Sequence, residues 1–125
     1  MRHNVAGYKL NRNKGHRTAL RRNLIISLFE HNRIKTTKAK AKAIQAEAEK
    51  LITLAKNCAT GNDSDKVNSR RLAAAKLANP DAVRKLFDEI APKFENRNGG
   101  YTRVINLGIR SGDSAEMVVL ELVEE

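Results

Sequence analysis

The apolar positions of this chain change their spacing several times, and each change marks an element. From about His16 to Glu30 the residues Leu20, Leu24, Ile25, Leu28 and Phe29 recur at helical intervals, with Arg17, Arg21 and Arg22 on another side of the same helix. Asn32 and Arg33 close it. Ile34 to Thr37 then forms a short β-branched run that predicts a strand, and Thr36 or Thr37 is placed to cap the next helix. That helix is long, predicted from about Lys38 to Lys56, with Ala41, Ile44, Ala48, Leu51, Ile52 and Ala55 on its apolar face. The stretch 57–68, rich in Gly61, Asn62, Asp63, Ser64 and Asp65, reads as a loop. Ser69 to Ala78 is an alanine-rich helix, interrupted at Asn79-Pro80. From Asp81 another helix carries Val83, Leu86, Phe87 and Ile90 until Pro92 and the Asn96 to Gly100 cluster stop it. The spacing then switches to two. Tyr101, Ile105, Leu107 and Ile109 fall on one face of a strand ending near Arg110, and Val118, Leu120 and Leu122 on one face of a second, from Met117 to Val123. Ser111-Gly112-Asp113 between them supplies the turn of an antiparallel hairpin.

The order α-β-α-α-α-β-β predicts an α+β domain in which helices cover one face of a small mixed three-stranded sheet, the early strand joining the hairpin. A chain of 125 residues supports one modest core, and with 4% aromatic residues and no tryptophan that core is aliphatic. No internal repeat or linker divides it. Residues 16–125 read as a single domain preceded by an extended arm, residues 1–15.

Charge changes this picture from a generic domain to a polyanion binder. Residues 1–42 contain 12 basic side chains and one acidic one, Glu30, whereas residues 43–125 contain 12 basic and 13 acidic, so the whole excess of +10 belongs to the first third. The arm and first helix bring Arg2, His3, Lys9, Asn11, Arg12, Asn13, Lys14, His16, Arg17, Arg21 and Arg22 without one carboxylate. The polar groups among them are short enough to hydrogen-bond phosphate, ribose or base edges. A solvated charge run is the alternative, but ordinary surfaces mix signs and this one does not. Lys38, Lys40 and Lys42 crowd the start of the long helix, where the helix dipole favours acids, which suggests an external anion. Tyr8 and His16 are too few to form a stacking platform, so recognition of shape and phosphate is expected.

The remaining residues exclude other classes. His3, His16 and His31 lack metal-ligand spacing, Cys58 is alone, and Gly99-Gly100 precedes a strand rather than opening a helix, so neither a metal, a nucleotide nor another cofactor is expected. Asp88 and Glu89 point apart on a helix, and neither Ser69 nor Ser111 lies in a catalytic turn, which argues against an RNA-processing enzyme. No apolar run approaches the roughly 20 residues of a membrane span, and a cytoplasmic protein is expected. Charge alone would equally suit a DNA-binding, nucleoid-type protein.

Specific motifs narrow the partner. The start Met1-Arg2-His3, Leu10 to Asn13 followed by His16-Arg17, and Arg22-Asn23-Leu24 closely resemble the bacterial large-subunit ribosomal protein L-seventeen family. So do Ile34 to Thr37, the Lys40-Ala41-Lys42 step, Pro92-Lys93-Phe94, Gly99 to Arg103, Gly112-Asp113 and Glu121-Leu122-Val123, in the family's order over nearly the whole chain. The resemblance implies a structural, non-enzymatic component of the large subunit that contacts large-subunit rRNA and lies near ribosomal proteins L-twenty-two and L-thirty-two. It implies RNA contacts from Arg2, His3, Asn11, Arg12, Asn13, His16 and Arg17, and a second surface from Lys35, Thr36, Thr37, Lys38, Lys40, Lys42, Tyr101 and Arg103. The chain departs from the family at a Cys58 to Asn68 loop that looks longer and more acidic, and at Ser111 and Glu116, where a basic residue and a proline are common.

Overall fold

A computed structural model describes residues 13–58 and 61–123. Helix α1 (Lys14–His31) starts where Asn13, in extended conformation, accepts the His16 backbone N–H on its side chain at 2.8 Å. It stops at Asn32, whose positive φ of 66° reverses the chain while its N–H caps Leu28. Strand β1 (Arg33–Thr37) comes directly after and leads without a loop into α2 (Lys38–Cys58). Thr37 Oγ1 accepts the Lys40 N–H at 3.4 Å, so of the two threonines it is Thr37 that caps. The six apolar positions expected on this helix are all buried.

The expected loop at 57–68 is mostly helix. Helix α3 (Asp63–Leu77) begins six residues ahead of the predicted Ser69, because Asn62 accepts the Asp65 N–H at 2.9 Å and Asp63 and Asp65 fill the first turn, where acids complement the dipole. The turn-forming composition was a capping signal. α3 buries only Ser69, Ala73 and Leu77, a narrow stripe of mainly small side chains.

Helix α4 opens as Pro80–Lys85 behind the Asn79 cap, passes through a π turn at Leu86–Ile90, and finishes as Ala91–Lys93. Pro92 therefore does not stop this helix. The wider turn, closed by Ala91 N–H to Leu86 O, lies immediately ahead of the proline, whose ring would clash with a carbonyl one regular turn back. Beyond it, Gly99 and Gly100 take positive φ values of 87° and 60° to lead the chain into the sheet.

Strands β2 (Thr102–Ile109) and β3 (Glu116–Leu122) complete a three-stranded sheet of order β1-β3-β2. Both pairings are antiparallel, so the sheet is not mixed: the early strand runs opposite to the last. Val118, Leu120 and Leu122 face the helices and join a core that includes Leu28, Phe29, Ile44, Ile52, Leu86 and Ile90. Burying side chains of this kind contributes roughly 1.5–3 kcal/mol each.

The predicted apolar face of β2 is a second correction. Thr102, Val104 and Asn106 pair with Leu122, Leu120 and Val118 and so hold the helix-facing positions, while Ile105 pairs with Val119 on the outer face. Asn106 pairs with Val118 and Gly108 with Met117, leaving Leu107 as the extra residue of a bulge, with Gly108 at φ 116°. The bulge reverses the alternation, and Ile109 sits opposite Glu116, in the phase of Val118. Ile105, Leu107 and Ile109 are thus neither on one face nor buried.

Candidate nucleic-acid interface

Arg2, His3, Lys9, Asn11 and Arg12 lie outside the described residues, as does most of the expected arm. Its last residues are helical, for α1 begins at Lys14. Along α1, Lys14 and His16 are exposed and Arg17, Arg21 and Arg22 half-buried. Two of the cations near this helix serve the fold. Arg22 Nε donates to the Lys76 carbonyl at 3.0 Å, closing the end of α3, and Lys85 Nζ donates to the Glu30 carbonyl in the last turn of α1. Asn13 is likewise occupied as a cap.

The second predicted surface divides. Lys35 is exposed on the outer face of β1, and Lys38 and Lys42 are exposed at the start of α2 with Lys40 half-buried beside them. Lys38 pairs with Glu116 at 3.5 Å, whereas Lys35 and Lys42 make no ion pair with another described residue. Thr36 and Tyr101 are placed differently from the lysines: their side chains are buried and work inside the fold. Thr36 shares the register of Val118 and points into the core. Tyr101 packs its ring on Phe94 at 5.2 Å and accepts hydrogen bonds from Thr53 Oγ1 at 3.4 Å and Lys56 Nζ at 3.0 Å. Those two donors hold the phenol below its ordinary range, against the opposing effect of burial. The neighbouring Thr102 hydroxyl donates to Glu49 Oε1 at 2.8 Å and accepts from Gln45 Nε2 at 3.1 Å, which fixes the start of β2 on α2.

Arg103 is exposed, and it has a companion that sequence reasoning missed. Arg33 and Arg103 pair in register with Glu121 from opposite sides of β3, at 3.7 and 2.6 Å. Two guanidiniums thus share one carboxylate on the outer face of the sheet, with Lys35 two residues along from Arg33. The expected strand begins only at Ile34, with Arg33 read as the end of α1; extending it by one residue puts Arg33 and Lys35 on one face, which was the available signal. Elsewhere some cations are neutralised internally: Arg70 lies over the Phe87 ring at 4.8 Å and bonds Asp88 at 2.9 Å, and Arg110 forks onto Asp113 at 2.9 and 2.6 Å.

Among the described residues no group of three or more His, Cys, Asp or Glu side chains could hold a metal ion, and no helix is long and apolar enough to cross a membrane. Cys58 is buried with its thiol turned to the Ala55 carbonyl.

These features define a small α+β protein whose charge excess falls within residues 1–42, of which the described part forms α1, β1 and the head of α2. Residues 20–123 match the family model described as Ribosomal protein L17. Over 123 residues the chain is 51% identical to the large ribosomal subunit protein bL17 of Solibacter usitatus, covering 98% of this chain and 77% of that one. It is 50% identical to the protein of the same name from Chloroflexus aurantiacus, over 98% of this chain and 100% of the other, and 50% identical to that of Geobacter sulfurreducens, over 100% of this chain and 67% of the other. The chain belongs to the ribosomal protein L17 family, structural, non-enzymatic proteins of the large ribosomal subunit.

Proposed function

We propose that this protein binds large-subunit rRNA through its amino-terminal residues, α1 and the β1–α2 cations, and that it stabilises the assembled subunit by lowering phosphate repulsion between packed RNA helices. The observation that carries this reading is the charge partition: 12 basic residues against one acidic within residues 1–42, and near neutrality across residues 43–125. The folded domain acts as the anchor that sets the direction of the arm. Arg17 and Arg21, Lys35, Lys40, Lys42 and the Arg33 and Arg103 pair contact phosphates, while Arg22 works mainly in closing α3. Ribosomal proteins L-twenty-two and L-thirty-two are the proposed protein neighbours, in line with the family resemblance.

The test is sedimentation of the tagged full chain with large subunits at moderate and high salt, beside a version lacking residues 2–12, which leaves the Asn13 cap in place. Comigration that the deletion weakens supports the reading. Binding to an rRNA fragment as a function of salt then counts contacts: replacing Arg17 or Arg21 by Ala is expected to flatten the slope by roughly 0.7–0.9 per lost phosphate contact. An unchanged slope across the series, or tighter binding to duplex DNA than to rRNA, overturns it.

A further inference from the structure

Residues 43–125, near neutral as a whole, contain a cleft of about 570 Å³ where the end of α2, α3 and α4 meet. Its distinguishing side chain is Arg70. The guanidinium carbon stands 4.8 Å from the centre of the Phe87 ring, and Nη2 donates to Asp88 Oδ1 at 2.9 Å. Both partners belong to the π turn Leu86–Ile90, a widened turn of the kind that recurs at functional sites. Asp88 already neutralises this arginine, so what the ring and the ion pair provide together is a fixed guanidinium plane, not a free charge. The Arg70 side chain nevertheless stays 46% exposed, and it lines the cleft together with Phe87. Lys66, Glu95 and Asn98, all exposed, line the same space. Neither Lys66 nor Glu95 makes an ion pair with another described residue.

We propose that this cleft receives one unpaired nucleotide of large-subunit rRNA, with its base stacked on Arg70. This rests on the reading of the chain as an rRNA-binding protein. The base lies on the guanidinium, on the side away from Phe87, and continues a stack that the fold has already begun; RNA bases outside helices are held in this way on aromatic rings and arginine planes. Glu95 accepts from an N–H of the base edge, and the Asn98 amide brings one further acceptor and two donors to it. Lys66 meets the phosphate. Mixed charge selects against a charged peptide of either sign, because Lys66 repels a basic one and Glu95 an acidic one. A nucleotide that is already unpaired enters most readily, since no base pair has to be broken.

The experiment places the photo-crosslinking residue benzoylphenylalanine at Lys66, on the rim, in the full chain made in cells. Large subunits are isolated and irradiated, rRNA adducts are located by reverse transcription, and protein adducts by mass spectrometry. The expected result is one adduct site, at a nucleotide that is unpaired in the subunit. Adding Arg70→Ala is expected to lower the yield about tenfold, the order lost with one base stack. Arg70→Lys is expected to lower it as far, because lysine keeps the charge but has no plane. An unchanged yield in Arg70→Lys, adducts with protein, adducts confined to base-paired nucleotides, or no adduct in subunits that contain the probe overturn the proposal. Should the Arg70 variants fail to enter subunits for want of the Asp88 bond, Glu95→Ala removes an exposed side chain instead, and an unchanged yield there is equally decisive against it. Failure of the unmodified chain to sediment with the subunit would overturn the ribosomal reading, and this proposal with it.

Discussion

The Lys56 ammonium stands 3.0 Å from the Tyr101 hydroxyl and 4.9 Å from the centre of its ring, so one cation serves the phenol as hydrogen-bond donor and as π partner. The same ammonium donates to the Arg97 carbonyl, tying the 94–100 segment to the end of α2. Tyr101→Phe keeps the packing on Phe94 but removes the acceptor that Lys56 and Thr53 share, leaving Lys56 the Arg97 carbonyl and Thr53 the Glu49 carbonyl. The expected loss is about 1–2 kcal/mol in urea unfolding, with no change in the salt slope of RNA binding. A changed slope would make Tyr101 an RNA contact.

Glu121 holds two arginines on the outer sheet face with a side chain only 13% exposed. Glu121→Gln leaves Arg33 and Arg103 facing one another without a shared anion. Unfolding free energy should fall by about 1 kcal/mol while affinity for rRNA rises, because both guanidiniums are released to phosphate. Equal or weaker RNA binding in a folded variant would show that this face does not meet RNA.

Asn62 gives α3 its start, accepting the Asp65 N–H at 2.9 Å. Asn62→Ala is expected to cost about 1 kcal/mol and to speed amide exchange in the first turn of α3 while leaving α2 protected.

The Arg110 fork pulls the Asp113 carboxyl from its ordinary 3.8 down to about 2, its hydrogen bond from Ala115 N–H helping. A folded-state value below the unfolded one means that the turn's contribution is complete above the ordinary carboxylate range and is lost as pH falls through about 2. Both groups are exposed, so the effect is local. Carboxyl carbon shifts followed by NMR should give a midpoint near 2 for Asp113, moving up toward the ordinary range in Arg110→Ala, with the Ala115 N–H still holding it below.

How far the sequence reaches differs by element. The apolar stripes of α2, α4 and β3 were legible because a side chain every third or fourth residue, or every second, leaves a period that burial then obeys. The start of α3 was hidden, since Asn62, Asp63 and Asp65 are as suited to a loop as to a cap, and only the position of the next turn decides between them. Pro92 misled for a related reason: a proline stops a regular helix, and the π turn that accommodates it has no signature in composition. On β2 the alternation was real but its phase was not readable, because one bulge at Leu107 inverts it. At the candidate interface the charge excess was plain, whereas which cations remain available was not. Arg22 and Lys85 are taken by helix ends more than 50 residues away, and such pairings exist only once the helices are packed.

The strand order has a consequence for how the molecule is made. β3, the central strand, is the last element among the described residues, and β1 and β2 join only through it. During synthesis the helices can gather as they emerge, but β1 waits unpaired, from residue 37 until residue 116 and beyond have been added, for its hydrogen-bonding partner. Contacts of such long sequence separation form late and slowly. The sheet therefore cannot form before β3 has been made, and a chain cut short before Glu116 lacks the strand through which β1 and β2 are joined.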